Sequence, residues 1–469
     1  MHMDGRSRLR LGTANNRHYR WLAVLFPVTI VGSIFGQGVL PPAPGFQGAP
    51  AVPSMGGVAP LPGANNNQPG GENAGQPNNQ GNPTTTDANL PPDATGGGTM
   101  DAIKQWGAAH VHPRASYQFL YTTGIHNAPG SSQDTFTHTL SPGLTFNFGS
   151  HVNFDYSMGI RFYSQAGFHD TIEHSLALNA AGYNYGKWTF GLSQTAVIAD
   201  QPLSETSSQT QQQNYHTGLS ASYAANEKLT LSTDIGMDIA HLNEGVTNVF
   251  VGGSGGTPSS LSDSRSYRGS ETLDYKFNEH FSGGMAASLA YTEQLPGFKS
   301  VEEEYNLHLN WTPGTKLSAS LSGGLEERNF LNSKATAVWN PIYSANIGYR
   351  LFEHTLFTVY ANQSINASIF DNELTKSTSV GVGMEQRLLG KLHLSLGFGY
   401  RRTEFLSTTT SDLNTSRSDK GTSFSAGLSA PLFQHCSLAT FYQYSQDRSS
   451  QQGFSYGSST LGATLSWAY

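Results

Sequence analysis

From Arg114 onward, apolar and polar side chains alternate with a period of two, the pattern of strands with one apolar and one polar face. The segment from Val152 is the cleanest: Val152, Phe154, Tyr156, Met158, Ile160 and Phe162 share one parity, against Asn153, Asp155, Ser157, Gly159 and Arg161. Phe136, His138, Leu140, Leu144, Phe146 and Phe148 repeat it, as do Leu229, Leu231, Ile235, Met237 and Ile239. Phe281, Met285, Leu289 and Tyr291 follow, then Leu392, Leu394, Leu396, Phe398 and Tyr400. Such segments run about 9–13 residues, the length a tilted strand needs to cross a bilayer.

Short turns recur between these segments, at FGSHV, YGKW, NEKL, NEHF, PGTKL, FEHT, LGKL and FQHC. Longer polar stretches separate them, such as LNEGVTNVFVGGSGGTPSSLSDSRS and RRTEFLSTTTSDLNTSRSDKG. Eight short turns join sixteen strands, and one more at each end predicts about eighteen. Strict short-long alternation predicts an all-β, transmembrane, antiparallel up-and-down barrel rather than a propeller, with both chain ends on the short-turn, periplasmic side. Sixteen strands is the alternative count, because Pro142, Pro341 and Pro431 fall inside expected strands and remove ladder hydrogen bonds. Glu271 and Glu303 fall on the apolar parity, toward the long-loop ends. Aromatic residues gather at both ends of the segments, Trp188, Tyr223, Phe277 and Trp311 near short turns, Tyr121, Tyr267, Tyr291 and Tyr400 near long loops. Aromatic girdles at two interfaces have this arrangement.

Composition agrees. Only 13% of residues are charged, while Gly (52) and aromatics (11%) run high, and mean hydropathy is −0.37 because uncharged polar residues fill the gap. No run of 18 apolar residues occurs, so no transmembrane helix is expected. Arg6, Arg8, Arg10, Arg17 and Arg20 precede an apolar stretch from Trp21 to Phe35 and small residues Gly36 and Gly38, which predicts a secretory signal over 1–36. Residues 37–99, rich in Pro, Gly and Asn, cannot bury enough apolar surface to fold and are expected to be a disordered linker. A short lead-in, 100–113, is expected to be helical in part, and the barrel is expected over 114–469. Removal of the signal takes away five Arg and one Asp, moving the net charge from −7 to about −11. That acidic balance argues against nucleic acid. The single Cys436 excludes an intramolecular disulfide.

The last residues read LGATLSWAY, with Leu461, Leu465, Trp467 and Tyr469 on one parity. This segment resembles the last strand of bacterial outer-membrane β-barrel proteins, and the stretch 114–469 resembles their porin-like members. Tyr replaces the usual terminal Phe. The resemblance implies integral placement in the outer membrane and recognition of these four residues by the barrel-assembly machinery.

No catalytic constellation stands out in the sequence. Several of the 16 His, including His151, His280, His354 and His435, sit in or beside short turns, where polar residues are ordinary. His110 and His112 lack a third ligand nearby, and no phosphate-cradling glycine motif appears. Neither an enzyme activity, a cofactor nor a metal is expected. Barrels of 16–18 strands are too wide for their own side chains to fill and hold water. The expected function is passage of small polar solutes, with outer-membrane lipid around the wall and a periplasmic partner for the linker. Alternatives are a dedicated saccharide channel, or a structural or adhesive barrel with a closed lumen. Inward parity collects Asp155, Glu173, Asp234, Asp238, Asp274, Glu302, Glu304, Glu326 and Glu385 against Arg161, Arg268, Lys276, Arg350, Arg387 and Arg401. The acidic excess predicts a weak cation preference.

Overall fold

The computed structural model describes residues 109–469 apart from 129–130, 204–207, 244–261, 371, 390 and 410–413, together with Gln105 and Trp106. The signal and linker expectations for 1–99 lie outside the described residues, as does the glycine-rich stretch 252–256.

Eighteen long strands form one sheet, each antiparallel to the next. They are β1 (Ala109–Ala128), β2 (Ser131–Phe148), β3 (Val152–Tyr163), β4 (Thr171–Tyr185), β5 (Trp188–Leu203) and β6 (Ser208–Ala224). Then come β7 (Leu229–Asn243), β8 (Asp263–Asn278), β9 (Phe281–Leu295), β10 (Lys299–Trp311), β11 (Leu317–Phe330) and β12 (Val338–Phe352). The last six are β13 (Thr355–Ala367), β14 (Glu373–Leu388), β15 (Leu392–Ser407), β16 (Asn414–Phe433), β17 (Cys436–Ser449) and β18 (Tyr456–Ala468). β18 pairs back onto β1 from Ser459↔Thr123 to Ala468↔Arg114, which closes the barrel. The count is eighteen, and the sixteen-strand alternative is set aside.

Parity decides which side chain faces where. Ile235, Met285, Leu307, Val359 and Phe398 are exposed on the outer face, while Thr139, Ser157, Asn306, Ser395 and Ser425, on the opposite parity, are buried. A soluble barrel would have the reverse. Apolar side chains outside and hydroxyls inside suit a wall between lipid and water. Closure leaves no strand edge, so the ladder satisfies backbone polar groups that hydrocarbon could not.

All eight short turns lie where the spacing puts them, from 149–151 to 434–435. Gly149 (φ 61°) and Gly186 (φ 63°) take the left-handed conformation that two of these tight reversals require. The opposite end departs from the expected long loops. The β9–β10 connection is only 296–298, because strands there run on past the membrane band; β1 and β16 each have 20 residues. The lead-in also differs from the helical expectation. Its described part is extended, with Gln105↔His110 and Trp106↔Ala109 bridged, and β1 starts at Ala109, five residues before Arg114. The cause is local. Val111 and Pro113 continue the outward parity of Ala115 and Tyr117, and β2 offers ladder partners as far as Phe148.

The three prolines are accommodated by local gaps. Around Pro142 the β2–β3 pairing skips from Leu140↔Ile160 to Gly143↔Ser157. β12 pairs with β13 only from Tyr343 onward, and the Pro341 carbonyl instead accepts from Gln363 Nε2 at 2.6 Å. Pro431 adjoins a register shift beside a short turn. The outward carboxylates also find donors: Thr233 Oγ1 to Glu271 at 2.9 Å and Tyr305 OH to Glu303 at 3.2 Å.

Candidate functional site: the barrel lumen

Inward side chains form a belt of ion pairs roughly ten residues above the short turns. At ~3.3 Å per residue and a tilt of ~40°, that is ~25 Å along the axis, at the far edge of the apolar band. Arg161 meets Glu173 at 3.1 Å, and His216 meets Asp238 at 2.5 Å. Arg268 reaches Glu304 at 2.7 Å and donates to Ser288. Arg328 lies between Glu302 (3.0 Å) and Glu326 (2.9 Å) and also donates to the Ile365 carbonyl. Arg401 faces Asp447 at 3.7 Å. Arg328 is only 1% exposed, so its two carboxylates are what make burial of the guanidinium tolerable. Higher up, Arg417 clasps Asp419 at 2.6 Å and stacks between Phe405 and Phe454, 4.2 Å from each ring centroid.

Above this belt the β13–β14 connection folds inward. Gln294, 1% exposed on the inner face of β9, donates its amide to the Ser368 and Phe370 carbonyls and accepts from the Asn372 N–H at 3.2 Å. The Ser262 N–H donates to the Ile369 carbonyl at 2.8 Å. Strands β10, β11 and β12 separate these partners, so the connection runs as a chord across one sector of the mouth. Neighbouring connections lock to it: Thr408 N–H donates to Asn372 O, Ser333 Oγ to Thr408 O, and Asn332 Nδ2 to Gly297 O. Phe298, Ile365, Leu374 and Leu406 form the buried cluster beneath. These hydrogen bonds tie the described connections into one layer on this side of the barrel end.

At the short-turn end, Asp155 receives Arg114 at 2.6 Å and Thr145 at 2.6 Å, and Asp274 meets His308 at 2.6 Å. Arg350, Glu385 and Arg387 line a cleft of about 270 Å³ together with His354 and His393. Asp234 and Glu385 have no ion-pair partner among the described residues.

Strand parity names candidate inward charges but says nothing of their partners. Arg114, His216, His308 and Arg328 share the inward parity and were missed, although Glu326 and Arg328 are two residues apart on one strand. Arg417, Asp419 and Asp447 were missed because their strands extend into sequence that reads as loop. With Arg114, Arg328 and Arg417 added against Asp419 and Asp447, the acidic excess narrows. His110 and His112 do not converge on a ligand set; His112 Nδ1 lies 3.3 Å from the Tyr469 carbonyl oxygen. Leu461, Leu465 and Trp467 face outward on β18. Tyr469 stacks against Trp467 and lies tilted against the His435 ring, and its N–H donates to Pro113 O at 3.1 Å.

An apolar exterior, a polar charge-paired interior and closure by eighteen strands define an integral β-barrel of the outer membrane. Residues 309–469, about a third of the chain and spanning the end of β10 through β18, are similar to the family described as "Putative beta-barrel porin 2". No curated protein matches the chain. Solved structures from Pseudomonas aeruginosa are similar to it at low identity. OpdO is 13% identical with a TM-score of 0.42, covering 76% of this chain and 97% of its own. OccK9 (OpdG) is 11% identical with a TM-score of 0.44, covering 76% and 98%. The outer membrane protein OpdK is 9% identical with a TM-score of 0.41, again covering 76% and 98%.

Proposed function

We propose that the protein is a diffusion channel, not an enzyme, passing small hydrophilic solutes across the outer membrane with weak cation preference. The observation that carries this reading is the closed eighteen-strand wall lined inside by Ser, Thr, Asn and paired charges, since a barrel of this size holds water. Short turns are assigned to the periplasm and the interlocked connections to the outside. Most inward carboxylates are ion-paired with Arg, and Asp238 and Asp274 are hydrogen-bonded to His216 and His308. Selectivity then falls to carboxylates without such partners, Asp234 and Glu385, opposed by Lys276 and Arg350, and stays small at physiological salt. The chord 368–372 favours a narrowed mouth and hence size selection. Conductance of purified protein in a planar bilayer tests the reading: discrete steps are expected, with a small reversal potential of cation-selective sign in a KCl gradient. A silent bilayer would favour the closed-lumen, structural alternative. Release of a labelled oligosaccharide but not of ions' smaller companions from loaded vesicles would favour the saccharide channel.

A further inference from the structure

The outer face carries a row of cations that the lumen does not explain. Arg402 on β15 is paired in register with Lys420 on β16, which is paired in turn with Arg448 on β17. All three are exposed and share the parity of the lipid-facing residues Phe398, Tyr400, Phe424, Tyr442 and Tyr444. Among the described residues the carboxylate beside the row on this face is Glu404, which Arg402 takes at 2.5 Å and which faces Lys376 in register. Asp419 and Asp447, the acidic chain neighbours of Lys420 and Arg448, point the other way, to Arg417 and Arg401. Directly opposed like charges on neighbouring strands, ~5 Å apart at Cβ, are destabilising unless an anion lies among them.

Position says which anion. Arg402 stands roughly ten residues above the short turn, and Lys420 and Arg448 two or three residues higher, which puts the row ~25–33 Å up the axis, just past the apolar band. The aromatic residues immediately beneath mark the interface. Lys and Arg there extend into the headgroup layer while their stems lie on apolar surface. The opposite sector differs, with Glu271, Glu293, Glu303 and Glu327 on its outward parity. Arg265 and Lys299 share that parity, both beside Glu293, so the opposite sector is acidic on balance while β15–β17 carries the unbalanced positive charge.

We propose that Arg402, Lys420 and Arg448 form a binding site for the phosphate groups of a phosphorylated glycolipid headgroup, of the lipid A type, in the outer leaflet. The site rests on the outer-membrane placement and is independent of transport. One headgroup phosphate bridges Lys420 and Arg448, and Arg402 contributes a further donor while held by Glu404.

The test is native mass spectrometry of the full-length barrel in mild detergent with added diphosphorylated lipid A. Lys420→Gln/Arg448→Gln should weaken retention about 25-fold, at roughly fivefold for each cation facing an anionic headgroup. Lys420→Arg/Arg448→Lys should retain the lipid, and Arg265→Gln, on the opposite sector, should leave it unchanged. Dephosphorylated lipid A should bind wild type at least as weakly as the double Gln variant binds the intact lipid, since the variant keeps Arg402. Heat-modifiable migration shows that each variant is folded. Equal retention by wild type and folded double variant overturns the site. So do equal retention of the dephosphorylated lipid, which points to acyl-chain packing, and equal preference for phosphatidylglycerol. Displacement by millimolar inorganic phosphate would reduce it to a general anion patch and overturn the lipid assignment.

Discussion

Replacing Gln294 by Ala removes the anchor of the chord at the mouth. The side chain makes three hydrogen bonds there, to Ser368 O, Phe370 O and Asn372 N–H, and is buried where they form. Without it, two carbonyls and one N–H lose their partner in the docked state, while in the open state water satisfies all three. A buried orphan costs roughly 1–3 kcal/mol, and partial rescue by water entering the gap keeps the total near ~3 kcal/mol. That is roughly a hundredfold in the ratio of docked to open, at 1.4 kcal/mol per tenfold. A connection open ~0.1% of the time would then be open ~10% of the time, enough to be seen as dwell times in a larger conductance state. Gln294→Glu should act similarly, since a carboxylate has no hydrogens for the two carbonyls and repels them. Single-channel recording in planar bilayers is the assay, with protease sensitivity of the β13–β14 connection as a second readout and heat-modifiable migration as the folding control. If both folded variants show wild-type conductance and protection, Gln294 does not hold the chord and the account of the mouth is wrong.

Arg328→Ala should destabilise the barrel by about 3–5 kcal/mol, because Glu302 and Glu326 are left buried without their cation; the urea unfolding midpoint measures it, and an unchanged midpoint refutes the role. Asp234→Asn with Glu385→Gln should move the reversal potential toward zero with little change in conductance, whereas a shift toward cation selectivity would contradict the lumen assignment. A tag inserted at Gly255 should be reached by antibody on intact cells and one at Asn278 only after the outer membrane is broken; the opposite result inverts the topology. Trp467→Ser/Tyr469→Ser should lower outer-membrane levels of folded barrel, and normal levels would show that these aromatics are not the assembly signal.

What could be read from the chain is what depends on neighbours in sequence. Strand parity has a period of two, so alternation in Val152–Tyr163 or Leu392–Ser407 already sorts lipid-facing from lumen-facing side chains. Tight reversals need few residues and specific ones, so FGSHV or YGKW marked turns that the barrel places at one end. From these two signals came the closed all-β barrel and its eighteen strands. Tertiary structure alone decided the rest, because the deciding contacts join residues that only pairing brings together. Arg114 finds Asp155 across two ladders, Arg328 finds Glu302 on the neighbouring strand, and Gln294 finds Phe370 across a chord. Polar sequence at a strand's outer end reads as loop, since alternation fades where both faces meet water. For that reason Arg417 and Asp419 went unread, as did the row Arg402, Lys420 and Arg448: each is an ordinary surface cation until antiparallel register sets the three side by side.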